Sequence, residues 1–146
     1  MTTAHIKRFE DLEAWQLSRE LTNQIYAITK NGPIARDYGF RDQIRRAAVS
    51  VMNNIAEGFD RGSNKDFVKF LFIARGSAAE VRSLLYVALD QKYIDEAGFN
   101  ECRGLCIRSN QIIWALIKGL RRRVDFITGM RIIIAAAVIR LGFIGI

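Results

Sequence analysis

The sequence predicts an all-α protein, an antiparallel up-down-up-down four-helix bundle, and three observations carry the prediction. Apolar residues recur at three- and four-residue spacing through four long segments, the pattern of one buried helix face. Proline occurs once, at Pro33, and only loops near Gly32, Gly39, Gly62 and Gly98 interrupt the pattern, which disfavours all-β and alternating α/β readings. A chain of 146 residues is long enough for one domain with a substantial core.

The first helix is expected from about Phe9 to Thr29, ending before the stop signal Asn31-Gly32-Pro33. Ala14, Leu17, Leu21, Ile25 and Ile28 mark its core face, with Leu12, Trp15, Arg19 and Tyr26 on roughly the opposite side. That aromatic and cationic stripe suits either stacked bases or an intersubunit contact, and outward apolar stripes on the other helices favour the contact.

The second helix is expected from about Asp37 to Gly58, with Gly58 just past its end. Ile44, Ala48, Val51 and Ile55 form an aliphatic stripe, and Gln43, Ala47, Ser50, Asn54 and Glu57 form a small, polar stripe beside it. Two stripes imply two neighbours. Polar groups half-buried there need partners, since an unmade buried hydrogen bond costs ~1–3 kcal/mol. Arg75, Ser77 and Glu80 on the third helix are the candidates, so Gln43, Ser50, Asn54, Glu57, Arg75, Ser77 and Glu80 are expected to form a structural polar network.

After a turn at Phe59-Asp60-Arg61-Gly62, the third helix is expected to begin at Ser63, in a capping-box-like exchange with Asp66. Its core face reads Phe67, Phe70, Leu71, Ala74, Ala78, Val81, Leu85 and Ala88. Phe72, Gly76, Ala79, Ser83 and Tyr86 line the other side, which suggests a second covering surface. The fourth helix, capped by Asp95, should run to about Val124, with Cys102, Cys106, Ser109, Ile113, Leu116 and Leu120 inward and Ile107, Trp114 and Ile117 on a second apolar edge. A monomeric bundle needs one apolar stripe per helix. The surplus at Trp15, Tyr26, Phe72, Tyr86, Ile107 and Trp114 points to a homo-oligomer interface.

The segment 1–124 is thus read as the bundle domain and 125–146 as an apolar tail of uncertain structure. Arg131 and Arg140 bracket eight apolar residues, Ile132 to Ile139, where a spanning helix needs about twenty. No membrane span is expected. An interfacial segment, a strand-like appendage, an oligomer cap or translation past a shifted reading frame all fit the tail, while Arg140, Gly142 and Gly145 weigh against a helix.

The runs Gln43-Ile-Arg-Arg-Ala-Ala-Val-Ser50, Asn54-Ile-Ala-Glu-Gly58 and Phe70-Leu-Phe-Ile-Ala-Arg-Gly-Ser77, with Glu80, carry a family likeness. Together they resemble the small four-helix-bundle family encoded in intervening sequences of bacterial 23S ribosomal RNA genes. The likeness extends from about Phe9 and Trp15 to about Leu120. Met52-Asn53 stands where that family usually carries a proline, and the apolar ending has no counterpart in it. The accessory variability determinant of diversity-generating retroelements is a more distant likeness. The resemblance implies a ring, most often of five subunits.

Twenty-two Lys and Arg against fifteen Asp and Glu give a net charge of +7, which favours phosphate, acidic partners or an anionic surface. Lys118, Arg121, Arg122 and Arg123 crowd the end of the fourth helix, and Lys65 and Lys69 lie near the start of the third. These six are the candidate contacts to RNA or DNA, made without reading base sequence. Such cations also suit a helix C-terminus, where each contributes ~0.3–1 kcal/mol against the dipole. His5 is the single histidine, and no nucleophile–base pairing is visible, so no catalytic residue is assigned. Cys102 and Cys106, one turn apart, lack a second Cys or His pair and read as buried thiols, with no metal or cofactor expected. No apolar leader precedes Phe9, so a cytoplasmic protein is expected. The expectation is a non-enzymatic, oligomeric nucleic-acid-binding accessory of a ribonucleoprotein or reverse-transcriptase machine. The alternative is a protein–protein scaffold.

Overall fold

The computed structural model describes residues 6–142, all of whose long elements are helical. A 3-10 turn at Phe9–Asp11 leads into α1 (Glu13–Ile28), a second at Pro33–Ala35 into α2 (Tyr38–Asp60), and α3 (Asn64–Asp90) and α4 (Glu96–Gly142) follow. Three of the four long helices, α2, α3 and α4, start at a side-chain cap. The Asp37 carboxylate accepts from the Phe40 amide at 3.1 Å and so caps α2. The Ser63 hydroxyl accepts from the Asp66 amide at 3.1 Å and donates to the Asp66 carboxylate at 2.9 Å, and Asp95 accepts from the Gly98 amide at 2.8 Å.

Cross-helix pairings set the direction of the chain. Thr22 bonds to Ala48 and Arg45 to Thr29, Ser50 meets Ser77 and Gln43 meets Glu80, Phe72 meets Trp114 and Tyr86 meets Phe99, and Ser18 meets Ser109. Numbers that rise on one helix fall on its neighbour, so adjacent helices run antiparallel in the cycle α1, α2, α3, α4. This is a four-helix bundle.

The core is in two parts. One cluster joins Leu12 and Ala14 to Val51, Ile55, Leu71, Ile113 and Ile117, and the other joins Leu21 and Ile25 to Ile44, Val81, Leu85 and Cys106. Between them lies a level of hydroxyls. The Ser18 and Ser109 oxygens are 3.0 Å apart, Thr22 donates to the Ala48 carbonyl at 3.1 Å, and the Ser50 and Ser77 oxygens are 2.8 Å apart. Ser18 and Thr22 also donate to carbonyls one turn back on their own helix, so these buried hydroxyls are satisfied.

Four expectations need correction. Leu12 was placed on the outer side of the first helix but is 4% exposed and sits in the core. Its extended backbone separates the 3-10 turn from α1, so the helical wheel does not reach back to it. Gly58 is not a terminator; α2 continues to Asp60, and Gly62 (φ +71°) supplies the left-handed turn residue. Gly58 is a glycine for another reason: a Cβ there would lie 2.6 Å from Phe70 Cβ and 3.0 Å from Phe67 Cδ2. Ile117, expected on an outer edge, is fully buried, because it lies only about 40° round the helix from Ile113 and belongs to the same core face.

The fourth correction is the largest. α4 does not stop near Val124 but runs unbroken to Gly142, so residues 125–142 of the tail are helix, and Gly145 lies outside the described residues. The positions Cys106, Ile113 and Leu120, seven apart, are buried. The next two steps of the same ladder, Ile127 and Ile134, are 51% and 55% exposed, because no other helix extends that far to cover them. The packing ends near residue 124, whereas the backbone hydrogen bonding does not.

Candidate nucleic-acid interface

The antiparallel arrangement brings the α2–α3 turn to the same end of the bundle as the stretch of α4 around residues 116–131. A groove of ≈ 740 Å³ at that end is lined by Leu12, Phe59, Ser63, Asn64, Leu120 and Arg123, among others. Beside it a shallower depression of ≈ 380 Å³ is lined by Lys65, Ile127, Thr128 and Arg131. Basic clusters far apart in sequence thus meet. Arg61, Lys65, Lys69, Lys118, Arg121, Arg122, Arg123 and Arg131 gather against Glu57, Asp60, Asp66 and Asp125.

Two of these cations are already engaged. Lys69 lies 3.3 Å from the Asp66 carboxylate, and Arg61 lies 2.6 Å from Glu57 and 5.1 Å over the Phe70 ring. The Ser63 hydrogen bond, followed by that from Lys69, holds Asp66 below the ordinary carboxylate range. Lys65, Lys118, Arg121, Arg122, Arg123 and Arg131 are exposed and form no ion pair among the described residues.

The six expected contacts lie at one end but not on one face. At about 100° per residue, Arg121 and Lys118 fall on the side of Trp114, with Arg122 above Lys118. Arg123 turns the other way, into the groove. On the Trp114 side, cations and rings alternate across the α3–α4 seam. Arg75 is 4.6 Å over Trp114, Trp114 meets Phe72 edge to face at 6.3 Å, and Arg121 is 5.3 Å over Phe72. Arg61 and Arg131 were not among the sequence candidates for contact. Arg131 joins the basic end only because α4 continues, which the sequence pattern did not indicate.

The polar network is smaller than expected. Asn54 donates to the Ser50 carbonyl at 2.8 Å and to its hydroxyl at 3.0 Å, and Ser50 in turn meets Ser77. Gln43 reaches Glu80 only at 3.5 Å on an exposed surface. Glu57 points to solvent and pairs with Arg61 of the turn rather than with α3. Arg75 lies on the other flank of α3, donating to Asn110 at 2.7 Å, because residues 75 and 77 are about 200° apart on a helix.

Of the expected interface residues, Tyr26, Phe72, Tyr86 and Trp114 are exposed by 45, 39, 47 and 37%, with Ile73 and Val87 beside the α3 pair. Trp15 and Ile107 are half-buried, Trp15 because it packs on Phe9 and the core. Tyr26 is covered on one face by Arg45 at 4.6 Å. Burial pushes the Cys102 thiol up to about 11 and the Cys106 thiol up to about 12. Among the described residues no three His, Cys, Asp or Glu side chains gather into a metal-holding group, and no helix is long and apolar enough to cross a membrane.

Fold and surface together define a basic four-helix-bundle protein. The 23S rRNA-intervening sequence protein family model matches residues 10–115, and the chain belongs to that family. A protein of unknown function from the S23 ribosomal protein family of Bacteroides thetaiotaomicron, solved by crystallography, shares the fold at a TM-score of 0.66 and 24% identity. The alignment covers 72% of this chain and 98% of that one. No curated protein matches the sequence. Neither match bears on the retroelement accessory protein.

Proposed function

We propose that this protein is a non-enzymatic helical bundle that binds RNA or DNA through its basic end, as a cytoplasmic accessory of a ribonucleoprotein or reverse-transcriptase machine. The observation that supports this reading is the gathering of Lys65, Lys118, Arg121, Arg122, Arg123 and Arg131 at one end, each exposed and none in an ion pair among the described residues. Long flexible cations without a groove-shaped constellation neutralise phosphate and do not read base edges. The positive end of the α3 dipole adds to the same potential.

A filter-binding titration of ribosomal RNA fragments and an unrelated duplex at two salt concentrations tests it. Affinity should fall by about 0.9 log units per log unit of salt for each duplex phosphate neutralised. Salt-independent binding, or none, overturns the reading.

A second observation supports self-association. Phe72, Ile73, Tyr86 and Val87 leave an apolar stripe on α3 exposed, with Trp114 beside it, and a surface of that kind suits the centre of a protein interface. A homo-oligomer, a ring of five on the family resemblance, would pool the basic ends and engage phosphates multivalently. The scaffold reading without nucleic acid rests on this stripe alone.

A further inference from the structure

Of the helix that leaves the bundle beyond residue 124, the nucleic-acid reading uses only Arg131. We infer that this stretch of α4 is an interfacial anchor that lies along an anionic lipid surface.

Three features favour a lipid surface over a protein one. First, the exposed apolar side chains spread over more than one seam of the helix. Phe126, Met130 and Ile133 share a side, Ile127 and Ile134 lie next to it, and Ile132 is almost opposite Ile134, yet all are 47 to 69% exposed. A partner helix covers one seam, whereas acyl chains and headgroups can cover a broad face. Second, the only charged residues from Phe126 to Gly142 are Arg131 and Arg140, and Arg121, Arg122 and Arg123 stand where the helix leaves the bundle. Pairing two copies of this segment would set cations against cations, while anionic headgroups complement them. Third, among the described residues no helix is long and apolar enough to cross a membrane, and a segment that carries Arg131 and Arg140 fits the plane of a surface better than its interior.

This inference shares cations with the nucleic-acid reading but also needs the isoleucines, which phosphate contact does not engage, so a change at the isoleucines alone tells the two apart. Full-length protein is floated with vesicles of phosphatidylcholine alone and of phosphatidylcholine with phosphatidylglycerol, and the same is done for an Ile133→Asp, Ile134→Asp variant. Both positions are exposed outside the core, so the bundle's circular dichroism and thermal midpoint should not change.

The expected result is binding to the anionic vesicles only, with partitioning reduced at least about tenfold in the variant. Absence of binding to anionic vesicles overturns the anchor. Equal binding by wild type and variant also overturns it, since charge on the bundle then suffices. If light scattering shows self-association that the variant abolishes while vesicles are ignored, the occupant is a second copy and the anchor is likewise rejected.

Discussion

The hydroxyls of Ser50 and Ser77 face each other at 2.8 Å across the α2–α3 seam, and each is held by a second bond, Ser50 from Asn54 and Ser77 to the Ile73 carbonyl. Such a contact needs two small residues opposite one another, so it fixes both the spacing and the register of the two helices. Replacing Ser77 by Ala removes one partner but leaves Asn54 as donor to Ser50. The expected destabilisation is about 1 kcal/mol in urea unfolding. Asn54→Ala, which leaves Ser50 paired to Ser77, should cost a similar amount. Unchanged midpoints for both would show that the seam does not depend on these bonds.

At Gly58 the same two helices approach too closely to leave room for a Cβ. Gly58→Ala would place a Cβ 2.6 Å from the Cβ of Phe70, which is fixed to the backbone and cannot swing away. Helix propensity alone would favour alanine by ~1 kcal/mol, but the overpacking should exceed that and leave a net loss of about 1–3 kcal/mol. A more stable G58A protein would mean that α3 shifts freely. By contrast, Gly76→Ala, which meets nothing within 4 Å, should be stabilising.

The two thiols set a pH dependence. Their values are raised by burial to about 11 and about 12, above the ordinary 9.0. The folded state therefore keeps its thiol protons where the unfolded chain releases them. This contribution is complete below pH 9 and is lost as pH rises through 9 towards 12. Thermal midpoints should fall over that window, and a Cys102→Ala, Cys106→Ala variant should show a shallower fall. At pH 8 a thiol reagent should label the native protein slowly and the urea-unfolded protein at once.

Charge reversal separates the faces of the basic end. Arg121→Glu with Arg122→Glu should weaken binding to every nucleic-acid sequence alike and lower the salt slope by about 2, one per lost phosphate contact. Arg123→Glu, which faces the groove, should have the smaller effect. An effect confined to one sequence would count against phosphate contact.

Self-association should depend on α3. Phe72→Glu with Tyr86→Glu is expected to lower the mass measured by light scattering at micromolar concentration, without loss of helicity, because both rings are outside the core. A wild-type protein already of monomer mass would remove the oligomer outright.

Much of the bundle was legible because helical periodicity reports which face is buried. Val51, Ile55, Leu71, Val81 and Leu85 read correctly from spacing alone, as did the caps at Ser63 and Asp95. What failed was whatever depends on neighbours or on chain direction. Leu12 was misplaced because a single extended residue resets the wheel, and Gly58 because a close approach and a helix end call for the same amino acid. Arg75 was assigned to the wrong seam because sequence proximity to Ser77 does not mean a shared face. The basic clusters could be found one by one, but their meeting at one end is a property of the antiparallel fold. The helix in the tail was not legible because breakers such as Gly142 and a lone arginine weaken a helix pattern without ending a helix already propagated from the bundle.

Because α4 crosses residue 124 without a joint, the exposed segment and the bundle share one rotational phase. The ring of Phe126 and the ring of Trp114 keep a fixed angle about the helix axis, and no loop exists to absorb a change in it. Inserting one residue between Val124 and Asp125 would turn everything beyond by about 100°, while inserting seven would return it to within about 20° of its original bearing. Whatever grips the far segment therefore also aims the basic end, as a keel sets the heading of a hull.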